Sequence, residues 1–406
     1  MSSVASAIAA GWDSYGRIVA TLIRVTGDWT LAEDCAQEAM AAALERWPRD
    51  GVPDNPGGWL LTVARNRAVD VLRRAAVENR KLQEVAMLWN ADPPPPGPEI
   101  EDDRLRLIFT CCHPALALEA RVALTLRTIG GVPTADIARA FLVTESAMTR
   151  RITRAKSKIA DARIPYRVPT GEALAERLPG VLAVLYLLFT RGYDADGEPA
   201  FADEAIRLTR LLAALMPGES EVASLLALCL LQHSRRRARR DANGDLVTLD
   251  RQDRSKWDRA AIAEGLEILL RTPVQGPYAL QARIAACHAA GDDTDWLSIA
   301  GWYDELVRIQ PSPVVALNRA VAHGYAFGPA EGLALLAAAR SGGALDGYPA
   351  AIAVEADLTL RSGDAFRAAE LFRAAAAEAP SEVERRALLT RAAEAVTGGP
   401  GAGPRR

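Results

Sequence analysis

Residues 134–159 read TADIARAFLVTESAMTRRITRAKSKI, and this stretch decides how the chain is understood. Thr134 is placed to cap a short helix, Asp136 puts negative charge in its first turn, and Ile137, Ala138 and Phe141 form its apolar side. Leu142 and Val143 carry the chain to a second cap at Thr144, with Glu145 at the positive end of the next helix. On a 3.6-residue repeat Met148, Ile152, Ala155 and Ile159 make one inward stripe. Arg150, Arg151, Arg154 and Lys158 fall on the opposite arc, with Ser146, Thr149 and Thr153 beside them. Between Arg150 and Arg163 there are six basic residues against one acid, Asp161. Two short helices joined by a tight turn, the second basic outside and apolar inside, form a helix-turn-helix. Its outer side offers guanidinium forks and hydroxyls to a DNA duplex.

The upstream sequence is helical throughout. Residues 8–25 form an amphipathic segment that stops at Gly27. The next helix is expected to open with the capping box Thr30-Leu-Ala-Glu33 and to run to Trp47, before Pro48. Leu31, Cys35, Ala39 and Ala42 share its inner side, while Glu33, Asp34, Gln37, Glu38 and Glu45 form an acidic face. A polar loop of turn formers follows, Arg49-Asp-Gly-Val-Pro-Asp54-Asn55-Pro56. In the third helix, residues 58–76, the apolar side is Leu60, Ala64, Ala68, Val71, Leu72 and Ala75. Its polar side carries Trp59, Thr62, Asn66, Arg67, Asp70, Arg73 and Arg74. A tryptophan beside Asn and Arg suits stacking on unpaired bases, and packing against the preceding loop or helix suits it equally. The run Asp-Pro-Pro-Pro-Pro-Gly-Pro98 closes the region as a semi-rigid spacer.

The chain has 406 residues and a net charge of −3, so nucleic-acid binding must come from local segregation of charge. No apolar run reaches the roughly 20 residues that span a bilayer, and the longest, residues 181–189, suits a buried helix. The amino-terminal residues lack the pattern of a secretory leader, so a cytoplasmic protein is expected. Five scattered cysteines make no disulfide framework. Adjacent Cys111, Cys112 and His113 are poor joint zinc ligands, and no metal or cofactor is expected. No GxSxG, HExxH or P-loop pattern occurs, and nothing argues for an enzyme.

The order AEDCAQEA, loop, NPGGWLLTVARNRAVDVLRR, proline linker and basic helix-turn-helix resembles the extracytoplasmic-function (ECF) sigma factors, initiation subunits of bacterial RNA polymerase. The stretches LIFTCCHPALALEARVALTLRTIGG, IPYRVP, LYLLFTRGYDA and LDRQDRSKWD resemble a subgroup with a long carboxy-terminal helical extension. The resemblance implies an all-α fold with region 2 at 1–81, a linker at 82–100 and region 4 at 101–165. A tetratricopeptide-like extension at 166–397 and a disordered tail at 398–406 would complete it. It implies that Glu33, Asp34, Gln37 and Glu38 dock on core polymerase. Arg49, Asp54, Asn55, Trp59, Thr62, Asn66 and Arg73 would hold the melted minus-ten strand of promoter DNA. Ser146, Thr149, Arg150, Arg151, Arg154 and Lys158 would read the minus-thirty-five element.

From Tyr166 onward the sequence is rich in alanine and leucine, and residues 310–322 and 347–358 begin units of similar pattern. Their period drifts around about 34 residues, as in a helical-repeat array whose concave face takes a peptide or protein partner. Two stretches depart from the pattern. One is the turn after Tyr193, and the other is Leu249-Asp250-Arg251-Gln-Asp253-Arg254-Ser-Lys-Trp257-Asp258. The second alternates in sign, as interlocked ion pairs or a regulatory site would. The alternative of another class is a protein-interaction scaffold whose helix-turn-helix does not bind DNA.

Overall fold

A computed structural model of the chain describes residues 3–76, 103–141, 143–193, 199–241, 244–289 and 293–397. The proline linker, the Asp194–Gly197 turn and the carboxy-terminal tail lie outside the described residues. The architecture is all-α. Among the described residues the one β-type contact is an isolated bridge between Arg240 and Leu246. The chain divides into two compact units, Met1–Leu188 and Phe189–Arg406.

In the first unit α1 (Ser3–Thr26), α2 (Trp29–Asp50) and α3 (Pro56–Ala76) pack on one another. Trp47, Tyr15 and Leu60 are among the largest side chains fully buried there. The expected start of α2 is corrected. Asp28 is the N-cap and accepts from the amides of Thr30 and Leu31, so Thr30 lies inside the helix and no capping box forms. Pro48 does not stop α2 either: the helix continues past it to Asp50, forgoing one backbone donor, and ends at Gly51, whose φ of 85° only glycine adopts without strain. The buried side of α2 is also wider than its spacing suggests: Ala32, Cys35, Ala36, Ala39, Met40, Ala43 and Trp47. In so alanine-rich a helix small residues lie on every side, and periodicity alone cannot choose the seam.

Helix α4 (Asp103–Cys111) packs on α1, and α5 (Leu118–Thr128) packs on α4. Helices α6 (Thr134–Ala140) and α7 (Glu145–Asp161) form the helix-turn-helix against α5. Cys111 and Cys112 lie in this core; burial pushes the Cys112 thiol up to about 11, and its sulfur sits 3.7 Å from Thr125 Oγ1. The segment after α7 ties back to α1, where the Tyr166 hydroxyl donates to the Ala20 carbonyl at 2.9 Å. Arg24 of α1 pairs with Asp103 at the start of α4, at 2.9 Å.

Helix α8 (Glu172–Tyr193) carries the boundary between the units. By length and composition it could cross a membrane, yet Val181, Leu182, Val184, Leu185, Leu188 and Phe189 are all buried within the protein.

The second unit is a stack of helices with repeat-like pairwise contacts. It runs through α9 (Pro199–Leu215), α10 (Ser220–His233), α11 (Arg259–Arg271), α12 (Pro277–Ala289) and α13 (Trp296–Ile309). It ends with α14 (Pro313–Ala326), α15 (Pro329–Arg340), α16 (Pro349–Arg361), α17 (Ala365–Ala377) and α18 (Glu382–Thr397). From α12 onward each helix packs on the next. Helices α12, α14 and α16 begin with prolines at 277, 313 and 349, a strict interval of 36 residues in place of the drifting period of the sequence pattern. Proline suits this first helical position, where its missing donor costs nothing.

Candidate nucleic-acid interface

The second helix of the helix-turn-helix is capped and seated as its sequence demands. Thr144 Oγ1 accepts from the amide of Ala147 at 3.3 Å. Met148, Ile152, Ala155 and Ile159 are buried, no more than 6% exposed, and hold the inner side of α7 on its neighbours. Arg150, Arg154, Lys158, Ser146 and Thr149 are exposed on the other side. The Thr149 hydroxyl donates to the Glu145 carbonyl at 2.9 Å, leaving its oxygen free to accept from a base or backbone donor. Arg151 departs from the expected outer arc: it is half-buried, with its guanidinium 5.9 Å from the centre of the Phe141 ring.

The acidic face of α2 is divided. Asp34, Gln37 and Glu38 are exposed, and Glu38 accepts from Arg67 Nη2 of α3 at 3.2 Å. Glu33 is buried, only 5% exposed, so it is not on the solvent face assigned from spacing. Its carboxylate meets three groups, one on α7 and two at the end of α5. Lys156 Nζ of α7 lies at 2.9 Å, the Thr128 hydroxyl donates at 3.1 Å, and Arg127 Nε lies at 3.4 Å. Charged and hydroxyl donors thus engage the lone pairs of this buried carboxylate, which offsets the cost of removing it from water. The negative charge nearby, after burial itself, pushes the Tyr15 phenol up to about 12. Lys156 was not among the residues singled out by the sequence pattern. Its only signal is that it sits off the outer arc of α7, toward the buried stripe.

The loop between α2 and α3 is short, residues 51–55, and Asn55 organises it. Asn55 Oδ1 accepts from the Gly58 amide at 2.9 Å, and a Cβ on Gly58 would come within 2.7 Å of the Asn55 amide nitrogen, so glycine keeps this fold-back open. A cavity of about 320 Å³ lies beside it, lined by Ser14 and Arg17 of α1 together with Asn55, Gly57, Gly58 and Leu61. Ser14 and Arg17 escaped the sequence reading because nothing in their spacing links them to a loop forty residues away. Arg49, Asp54, Thr62, Asn66 and Arg73 are exposed. Trp59 is half-buried and meets the buried Trp47 edge-on, ring centres 5.6 Å apart, which is the packing role its position equally allowed.

In the second unit the alternating stretch is held by caps more than by interlocked ion pairs. Asp253 accepts from the Ser255 amide and Asp258 from that of Ala261, each at 3.0 Å. Trp257 is buried, and the Arg254 guanidinium lies 5.0 Å from the centre of its ring. Arg251 reaches out to Glu394 of α18 at 2.7 Å, while Asp250 is exposed. Tyr193 stacks on Phe189 at 5.4 Å and lies beneath the Arg239 guanidinium at 3.7 Å. Among the described residues no group of three or more His, Cys, Asp or Glu is placed to hold a metal.

Comparison with known proteins fits this geometry. Residues 13–77 match sigma-70 region 2, residues 106–159 match sigma-70 region 4, and residues 177–272 match a family of unknown function, DUF6596. A probable ECF RNA polymerase sigma factor, SigI of Mycobacterium tuberculosis (strain CDC 1551 / Oshkosh), is 28% identical over 163 residues. That match covers 39% of this chain and 56% of the relative. A probable RNA polymerase sigma factor, RfaY of Xanthomonas campestris pv. campestris, is 29% identical over 160 residues, 36% of this chain and 39% of the relative. An uncharacterized protein of Rhizobium meliloti (strain 1021) is 45% identical over 333 residues, 78% of each chain. The chain belongs to the family of that Rhizobium protein, and it carries an ECF-type sigma-factor-like core, a regulatory and non-catalytic assembly of sigma-70 regions 2 and 4.

Proposed function

We propose that the chain is an ECF sigma factor that binds core RNA polymerase, directs it to promoters, and carries a regulatory or partner-binding tetratricopeptide-like extension. One observation carries this reading: a capped helix, seated by four buried residues, presents Arg150, Arg154 and Lys158 outward. In this reading Arg150 and Arg154, with Ser146 and Thr149, contact base edges of the minus-thirty-five element, and Lys158 contacts phosphate. Arg151, leaning on Phe141, supports the helix and reaches only the phosphate rim.

The minus-ten strand would run past Arg49, Asp54, Thr62, Asn66 and Arg73. A flipped base would enter the cavity between Asn55 and the α1 residues Ser14 and Arg17. Polymerase would dock on Asp34, Gln37 and Glu38. Glu33 can join that surface only if α7 and the end of α5 both move away, since its carboxylate is held by Lys156, Thr128 and Arg127. The protein performs no bond chemistry here; strand contacts offset an unstacking cost of a few kcal/mol per base step.

The test is a titration of the fluorescently labelled full chain with purified bacterial core polymerase. Saturable binding is expected, weakened by at least tenfold when Asp34 and Glu38 are both changed to Lys. Absence of binding by a folded chain would favour the scaffold reading.

A further inference from the structure

Two cavities of about 770 and 650 Å³ lie end to end in the second unit and share Thr248, Leu249, Ala350, Ala353 and Arg391 in their walls. Together they form one groove. Its floor comes from successive repeat helices: Tyr325 of α14, Ala350 and Ala353 of α16, and Leu388 and Arg391 of α18. Its wall is the segment before α11, residues 246–254. Helices packed at the usual 8–10 Å make the floor roughly 20 Å long, which matches about six residues of extended chain.

The floor is bare where the cavities join, because Ala350 and Ala353 carry only a methyl group. The wall is extended at Thr248 (φ −63°, ψ 152°) and turns into a short 3-10 helix over Leu249–Arg251. It is tied across to α18 by two exposed ion pairs, Arg251 with Glu394 and Arg386 with Asp245, both at 2.7 Å.

The polar groups state what an occupant must bring. Gln252 lines the smaller cavity; its Nε2 donates to the Val247 carbonyl at 3.1 Å, while its Oε1 is buried without a hydrogen-bond partner. A buried carbonyl without a donor asks for an N–H. At the same end Arg235 donates to the phenol oxygen of Tyr193 at 3.2 Å, and among the described residues no carboxylate pairs with it. Arg239 lies over the Tyr193 ring in the same cavity. Asp250, Asp293 and Asp357 line the larger cavity, where Asp357 is engaged with Arg391, and Glu384 is the one acid lining the smaller cavity, beside Arg235, Arg239 and Arg391. The field is felt next door, where burial, then Arg235 and Arg254, push the His288 imidazole down to about 4. At the far end Trp296 lies 4.3 Å from Tyr325, a surface for an apolar side chain.

We infer that this groove binds a short extended peptide bearing a carboxylate, with the carboxylate on Arg235, a backbone N–H on Gln252 Oε1, and small or aliphatic side chains over Ala350 and Ala353. The inference rests on the partner-binding reading of the carboxy-terminal helices and not on the sigma reading.

The test uses the full chain without polymerase, so its outcome is separate from that of the polymerase titration. A library of acetylated hexapeptides ending in Asp or Glu is compared with the same library ending in Asn or Gln amides. The acidic series is expected to be enriched. An enriched peptide, followed by fluorescence anisotropy, is expected to lose at least tenfold in affinity as its amide counterpart and again on Arg235→Gln. Ala353→Leu, which fills the floor without altering charge, should also weaken it, with the melting temperature of each variant checked. The amide comparison needs no variant and keeps the test decisive if a substitution unfolds the chain. Equal enrichment of both series, enrichment of neither, or binding unchanged by both substitutions in folded chains would overturn the inference. So would displacement by glutarate at the affinity of the peptide, which would make the groove a site for small acids.

Discussion

Helices α2 and α7 both carry a charged face, and they differ in how much of it is open. On α7 Arg150, Arg154 and Lys158 stand in solvent, Arg151 leans on Phe141, and one further cation, Lys156, reaches inward. On α2 three of the four polar groups expected to meet polymerase are exposed, while the fourth, Glu33, is buried as the counter-charge of Lys156. A single ion pair thus joins the two faces. A charged stripe reports that one side of a helix is polar; which of its members are open to a partner is settled by what else folds against it.

That contrast can be broken or sharpened by substitution. Changing Arg150 and Arg154 together to Ala should have the largest effect, a loss of about 4 kcal/mol or roughly a thousandfold in promoter affinity, at about 1–3 kcal/mol per guanidinium–base contact. Gel shifts of the polymerase-bound chain would show it on the preferred upstream element. An equal loss on every DNA sequence would mean that α7 touches phosphate only. Glu33→Gln leaves Lys156 and Arg127 without their carboxylate in a buried site and should lower the unfolding free energy by about 3 kcal/mol in urea titrations. Removing both partners, Glu33→Met with Lys156→Met, should cost less than Glu33→Gln alone, and simple additivity would show that the pair is not formed.

Acid should act on the other unit. Burial, followed by Arg235 and Arg254, lowers the His288 imidazole from 6.5 to about 4. Between those values the unfolded chain binds a proton that the folded chain does not. Stability from this group is therefore complete above pH 6.5 and is lost as pH falls toward 4. Thermal melts across that range would detect it, and His288→Phe should flatten the dependence. The smallest effect is expected from Thr144→Ala, about 1 kcal/mol of cap energy at the start of α7, read as a lower melting temperature with DNA preference unchanged.

Much of this was legible in the residues themselves. The α7 stripe of Met148, Ile152, Ala155 and Ile159 could be read because strong apolar residues repeat at helical spacing among charges. The Thr144 cap could be read because its hydroxyl acts three residues away. Helix α2 was harder: its alanines fit several seams, and Thr30 with Glu33 imitated a capping box that Asp28 pre-empts. The Glu33 clasp could not be read at all, since its partners lie 94 to 123 residues along the chain. The same holds for the cavity that Ser14 and Arg17 share with Asn55. The groove in the second unit was visible only as an odd alternation of charge. Its function depends on where the inserted segment lies against helices a hundred residues later.

The most direct measurement is transcription by purified bacterial core polymerase and the full chain on a randomised promoter library, followed by sequencing of the transcribed templates. Templates with two spaced elements are expected to be enriched, and preference at the upstream element alone is expected to be lost in the Arg150→Ala, Arg154→Ala variant. Transcription no greater than with core enzyme alone, from a chain shown to be folded, would contradict the sigma reading.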